Sequence, residues 1–167
     1  MIGKLLGASL MLIVHVPAEA ASNNAKVAFA QLSTLVGDWT TDPEKGRALR
    51  VSFALTAADT VLVERWKTAS GRESLTLYHI DGPRIVVTHY CPIGNQPRLV
   101  LDLGAQRERL SFSFLDATGL DSKGEPHLTK LWLQPDGVRL LRGETYVENG
   151  KPENSLLTLF RVALPKP

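Results

Sequence analysis

Three stretches of this chain place apolar residues at every second position. Leu49, Val51, Phe53 and Leu55 alternate with Arg50, Ser52 and Ala54; Leu99, Leu101 and Leu103 with Val100 and Asp102; Leu110, Phe112 and Phe114 with Ser111 and Ser113. A period of two puts each apolar set on one face of a strand. The runs 61–66, 75–80, 85–90, 128–133, 138–147 and 156–162 carry apolar residues on both faces, as strands in a wetter or doubly covered setting do. Turn signals separate them. Asp81-Gly82-Pro83, Pro135-Asp136-Gly137 and Asn149-Gly150 supply the positive φ of tight hairpins. Only the segment 25–36 reads as a helix, with Val27, Phe29, Leu32 and Leu35 or Val36 at helical spacing and Gly37 as its stop.

One short N-terminal helix followed by about ten short antiparallel strands must hide the strand edges. An all-β, up-and-down barrel is the expected solution, with a two-sheet sandwich as the alternative. No linker or fixed-period repeat divides the chain, so a single domain is expected.

The first residues change the picture of where this domain works. Lys4, an apolar run over 5–16, Pro17 and Ala18-Glu19-Ala20 follow the order of a secretory signal peptide with its cleavage site. The run is shorter than the roughly 20 residues that a membrane-spanning helix needs. The expectation is therefore a signal peptide over 1–20 and a barrel domain over 21–167, exported to the periplasm or the exterior without a transmembrane span. A net charge of +2, spread among acids, gives no nucleic-acid footprint. Cys91 is the one cysteine, so no internal disulfide forms, and a shielded thiol on a strand is expected.

Two stretches carry a resemblance. Leu35-Val36-Gly37-Asp38-Trp39 sets Gly-x-Trp on the first strand after a short helix. This resembles the opening of the calycin superfamily, which includes lipocalins, fatty-acid-binding proteins and nitrobindin-like barrels. Leu77-Tyr78-His79-Ile80-Asp81-Gly82, Val87-Thr88-His89-Tyr90-Cys91 and Gly94-Asn95-Gln96-Pro97-Arg98 together resemble bacterial lipocalin-like proteins of uncharacterised function that share T-H-Y-C-x-x-G-N-Q-P-R. The resemblance implies a fold more than an activity. Nitrobindin-like barrels bind haem through a histidine late in the barrel, and 156–162 holds no histidine, so those residues are not carried over.

Candidate chemistry concentrates between Tyr78 and Arg98. An even loop at Asp81-Gly82 puts Tyr78, Ile85, Val87, His89 and Cys91 on one face. Tyr78 and His89 would then be the polar contacts of a ligand, with Trp39, Cys91, Asn95 and Gln96 as further ligand-binding candidates. His89 with Cys91 suits a soft metal, haem or nucleophilic chemistry. A structural histidine bonded to a nearby Tyr or Thr is the plainer reading. His79 and His127 are isolated, so neither a metal nor a cofactor is expected, with haem the lesser alternative. Trp39 is expected to plug one end of the core. Gly94–Arg98 reads as a tight loop whose amides bond backbone groups. Glu64 beside Trp66, and Glu144 beside Tyr146, are candidate barrel-lining carboxylates.

The expected function is binding of a small apolar ligand inside the barrel. The alternatives are an enzyme acting on a small molecule in that cavity, with no catalytic residue assigned, and an envelope interaction module with a filled barrel.

Overall fold

The computed structural model describes residues 18–41, 49–102, 108–120, 122 and 124–162. The apolar run 5–16 and Leu103 lie outside them. The chain begins with helix α1 (Ala18–Ser33). Ten strands follow: β1 (Gly37–Thr40), β2 (Arg50–Thr56), β3 (Val61–Lys67), β4 (Glu73–Asp81), β5 (Arg84–Tyr90), β6 (Gln96–Leu101), β7 (Leu110–Thr118), β8 (His127–Asp136), β9 (Arg139–Glu148) and β10 (Lys151–Arg161). Each strand pairs antiparallel with its neighbours in sequence, and β1 pairs with β10 through Trp39 opposite Arg161. The sheet is thus a closed up-and-down barrel with no free edge.

The hairpins explain the register. Gly82-Pro83, Gly137-Val138 and Asn149-Gly150 are two-residue loops. Asn149 and Gly150 both take positive φ (50° and 75°), the backbone twist that tight hairpins need. Because the β4–β5 loop is even, Tyr78 faces Val87 and Thr76 faces His89 on the inner surface.

Two β-bulges break the simple alternation. In β8 the register shifts between Leu128 and Lys130, so Leu128 and Leu131 both point inward although three residues apart. A shift opposite Arg98 and Leu99 leaves Leu115 as the extra residue of β7. Phe112 stays in the core, whereas Phe114 is 39% exposed and packs against His127.

The helix differs from expectation. It starts at Ala18, in an alanine-rich stretch that favours helix, and a cut after Ala20 would fall within its first turn. Its buried face is Ala25, Ala28 and Leu32, and Val27 is exposed. Small side chains let the helix sit close on the barrel, which a search for large apolar residues overlooks. The helix does not stop at Gly37. Thr34, Leu35 and Val36 tighten its end through i→i+3 bonds, and Gly37 opens β1 at φ 129°.

Trp39 is buried, and its indole N–H donates to the Leu35 carbonyl at 2.8 Å. The Arg161 guanidinium lies 4.4 Å over its ring and donates to the carbonyls of Val36 and Thr34. A Cβ at Gly37 would come within 2.9 Å of Arg161 Nη1, so the glycine makes room for this clamp. Helix end, first strand and last strand are tied together at one end of the barrel, and Trp39 plugs that end as expected.

Candidate functional site

Hairpins alternate between the two ends of an up-and-down barrel. The end bearing α1 also carries the 82–83 and 137–138 turns. The opposite mouth carries the segment 91–95, residues 119–120 and 124–126, and the 149–150 turn. Toward α1 the interior is apolar: Phe53, Leu62, Ile85, Leu101, Leu110, Leu133, Leu140 and Leu159 are all buried. Toward the mouth it becomes polar. Glu64, Thr76 and His89 stand side by side across β3, β4 and β5. Arg142, Glu144 and Tyr146 follow the same inward row of β9.

Glu64 is the hub and is fully buried. Its Oε1 accepts from Arg142 Nε at 2.7 Å and from Trp66 Nε1 at 2.5 Å, and its Oε2 accepts from the Tyr78 hydroxyl. The Arg142 guanidinium stacks 4.3 Å from the Trp66 ring. Its Nη1 lies 2.6 Å from Glu144 Oε1 in an ion pair. Its Nη2 is buried and has no hydrogen-bond partner among the described residues. Arg142 is 1% exposed, and it is the only buried lysine or arginine among the described residues.

A second chain of contacts leads to the mouth. His89 is 3% exposed. Its Nδ1 is 2.9 Å from Thr76 Oγ1 and its Nε2 is 3.1 Å from the Tyr146 hydroxyl. Tyr146 neighbours Cys91 and also lines a cleft of about 400 Å³ with Pro126, Asn149 and Lys151. An adjoining cleft of about 480 Å³ is lined by Ile93, Asn95 and Pro126. The polar interior therefore reaches the surface through Tyr146.

Electrostatics follow from burial and charge. Burial alone would lower the Arg142 pKa, but Glu144 and Glu64 outweigh it and hold the pKa above the ordinary value. Burial, then the Glu64 charge, raises the Tyr78 phenol well above its usual range. Burial, then Glu144 and Cys91, raises Tyr146. Burial, then the Arg142 charge, lowers His89, which favours the neutral imidazole. The layer thus sets the contacts of Arg142 with Glu64 and Glu144 among neutral hydrogen-bonding groups.

Tyr78 and His89 come together on the inner wall, and Glu64 and Glu144 line it too. Cys91 sits at the mouth, half-buried. Trp39 lies at the opposite end. Asn95 is 2% exposed, its Nδ2 donates to the Pro126 carbonyl, and its Oδ1 has no partner among the described residues. Gln96 Nε2 donates to the Gly94 carbonyl, and its Oε1 accepts from Thr118, so this amide ties the loop. Sequence reasoning missed Arg142. The signal was present: Leu140, Arg142, Glu144 and Tyr146 repeat with period two, so a carboxylate placed inside carries the arginine with it. No group of three His, Cys, Asp or Glu arranged to hold a metal occurs among the described residues.

No protein-family model matches this chain, and no curated protein matches it. Among solved structures, it is similar to Rv2717c from M. tuberculosis. The TM-score is 0.52 and the identity 19%, over 81% of this chain and 98% of that one. The likeness is one of fold. A closed ten-strand antiparallel barrel fits a calycin-like architecture.

Proposed function

We propose that this protein is an exported, lipocalin-like carrier that holds a small, largely apolar molecule inside its barrel. The apolar part would lie toward α1 and the polar part against the layer of Arg142, Glu144 and His89. The observation that carries this reading is Arg142 Nη2. A buried donor left unpaired costs on the order of 1–3 kcal/mol, more for a charged group, so an acceptor supplied by a ligand would offset that cost. The division of the interior into apolar and polar halves supports the orientation, and the barrel fold is consistent with small-ligand binding. Tyr78 would act through Glu64, orienting it, and Tyr146 would stand where the ligand passes. Trp39, Asn95 and Gln96 would shape the two ends. The motif over 78–98 supports placement among bacterial lipocalin-like proteins. No described helix is long and apolar enough to cross a membrane.

Titration with Nile red, an uncharged apolar dye, tests the binding. One saturable site per chain is expected. Arg142→Lys, which loses the flat fork and its Nη2, should weaken binding about tenfold, or ~1.4 kcal/mol, with the far-UV circular dichroism unchanged. Trp132→Phe, on the outer wall, should leave affinity unaltered. Absence of saturable binding would overturn the reading. Export is tested separately by N-terminal sequencing of the periplasmic or secreted fraction, which should begin at or near Ala21.

A further inference from the structure

We infer, resting on the binding reading above, that the molecule held in the barrel meets Arg142 and Glu144 with an uncharged, amide-like head group rather than a carboxylate or an amine. Charges and donors around Arg142 decide between these head groups. Glu64 receives three donors on its two oxygens, so it acts purely as an acceptor, that is, as a carboxylate. Glu144 is ion-paired to Arg142 and only 14% exposed. One guanidinium therefore stands between two carboxylates. The groups around them, Tyr78, Thr76, His89 and Tyr146, add hydrogen bonds but no compensating cation. The cluster has a surplus of negative charge before any ligand arrives.

A carboxylate brought to Arg142 Nη2 would place a third negative charge within a side chain's reach of the first two. In a buried setting that repulsion is poorly screened. An ammonium group would suit the surplus charge but would leave Nη2 without an acceptor. An amide satisfies both groups. Its oxygen can accept from Nη2, and its N–H can donate to Glu144, which has acceptor positions beyond the one engaged by Arg142. Leu62, Val87 and Leu131 pack around this layer at 0–1% exposure, so a hydrocarbon tail enters only as these side chains part.

Three probes with similar chains separate the cases: decanamide, decanoate and decylamine, each competed against Nile red at pH 7.5. Decanamide is expected to bind at least tenfold more tightly than either charged probe. In Glu144→Gln the surplus charge is gone, and decanoate should gain at least tenfold relative to decanamide. If decanoate or decylamine matches or exceeds decanamide in the wild-type protein, or if none of the three displaces the dye, the inference is wrong while binding in the barrel stands. If Nile red itself shows no saturable site, both readings fall together.

Discussion

Replacing Arg142 with methionine removes the one cation from a buried cluster, and the structure sets the size of the effect. Glu64 is fully buried and would keep only the neutral donors of Tyr78 and Trp66. Breaking a buried ion pair from one side costs about 3–5 kcal/mol, because the remaining charge stays in a poor solvent. Two features reduce the loss. Glu144 is slightly exposed and can turn toward water, and methionine packs well against an indole. Losing the stack on Trp66 adds back about 0.5–2 kcal/mol. A net loss of about 3 kcal/mol follows. With a urea slope of about 2 kcal/mol per molar, the unfolding midpoint should fall by about 1.5 M. Combining Arg142→Met with Glu64→Gln removes the stranded charge and still lets residue 64 accept from Tyr78, so more than half of the loss should return. The assay is equilibrium urea unfolding followed by tryptophan fluorescence and circular dichroism. A single-variant loss below about 1 kcal/mol, or a double variant no more stable than the single one, would refute the claim that Glu64 depends on Arg142 for its charge partner.

Gly143 lies opposite Trp132, and a Cβ there would fall 2.1 Å from the indole Nε1. Gly143→Ala should push the ring off the wall, release Arg109 from its face and cost about 1–3 kcal/mol in thermal unfolding. Ala57, Ala58 and Asp59 all take positive φ in the β2–β3 loop. Ala58→Gly should therefore raise stability by about 0.5–1 kcal/mol in urea unfolding, and a loss would contradict the strain argument. The pH dependence has a definite sign. As pH falls through about 6.5, the unfolded chain gains a proton at His89 while the folded chain, with its lowered pKa, does not. The contribution of neutral His89 is thus complete above that pH and declines below it. The loss of stability between pH 7.5 and 5.5 should be smaller in His89→Gln, and an equal loss would remove His89 as a cause.

Much of this architecture can be read from hydrophobic periodicity, because each strand of a closed barrel keeps one face on the core. The alternation through Leu49–Leu55 and the hairpin at Asp81-Gly82 place Val51, Phe53, Tyr78 and His89 on the inside. Three features are harder to read, each for a physical reason. The buried helix face uses Ala25 and Ala28, whose small size carries little hydrophobic signal. The bulges at Thr129 and Leu115 move side chains between faces without any change in composition. Arg142 looks like a solvent-facing charge because Glu64, the buried carboxylate it bonds, lies 78 positions earlier in the chain and meets it only when the barrel closes. Glu64 and Glu144, each with an aromatic residue at i+2, can be picked out as candidate lining carboxylates, but their shared cation cannot.

A crystal structure of the protein grown with decanamide decides whether the barrel interior is a binding site. The amide oxygen is expected inside the barrel, within about 3 Å of Arg142 Nη2, with the hydrocarbon chain running toward α1. Decanamide confined to the outer clefts, with Arg142 Nη2 bonded to a protein side chain in a filled interior, would contradict it.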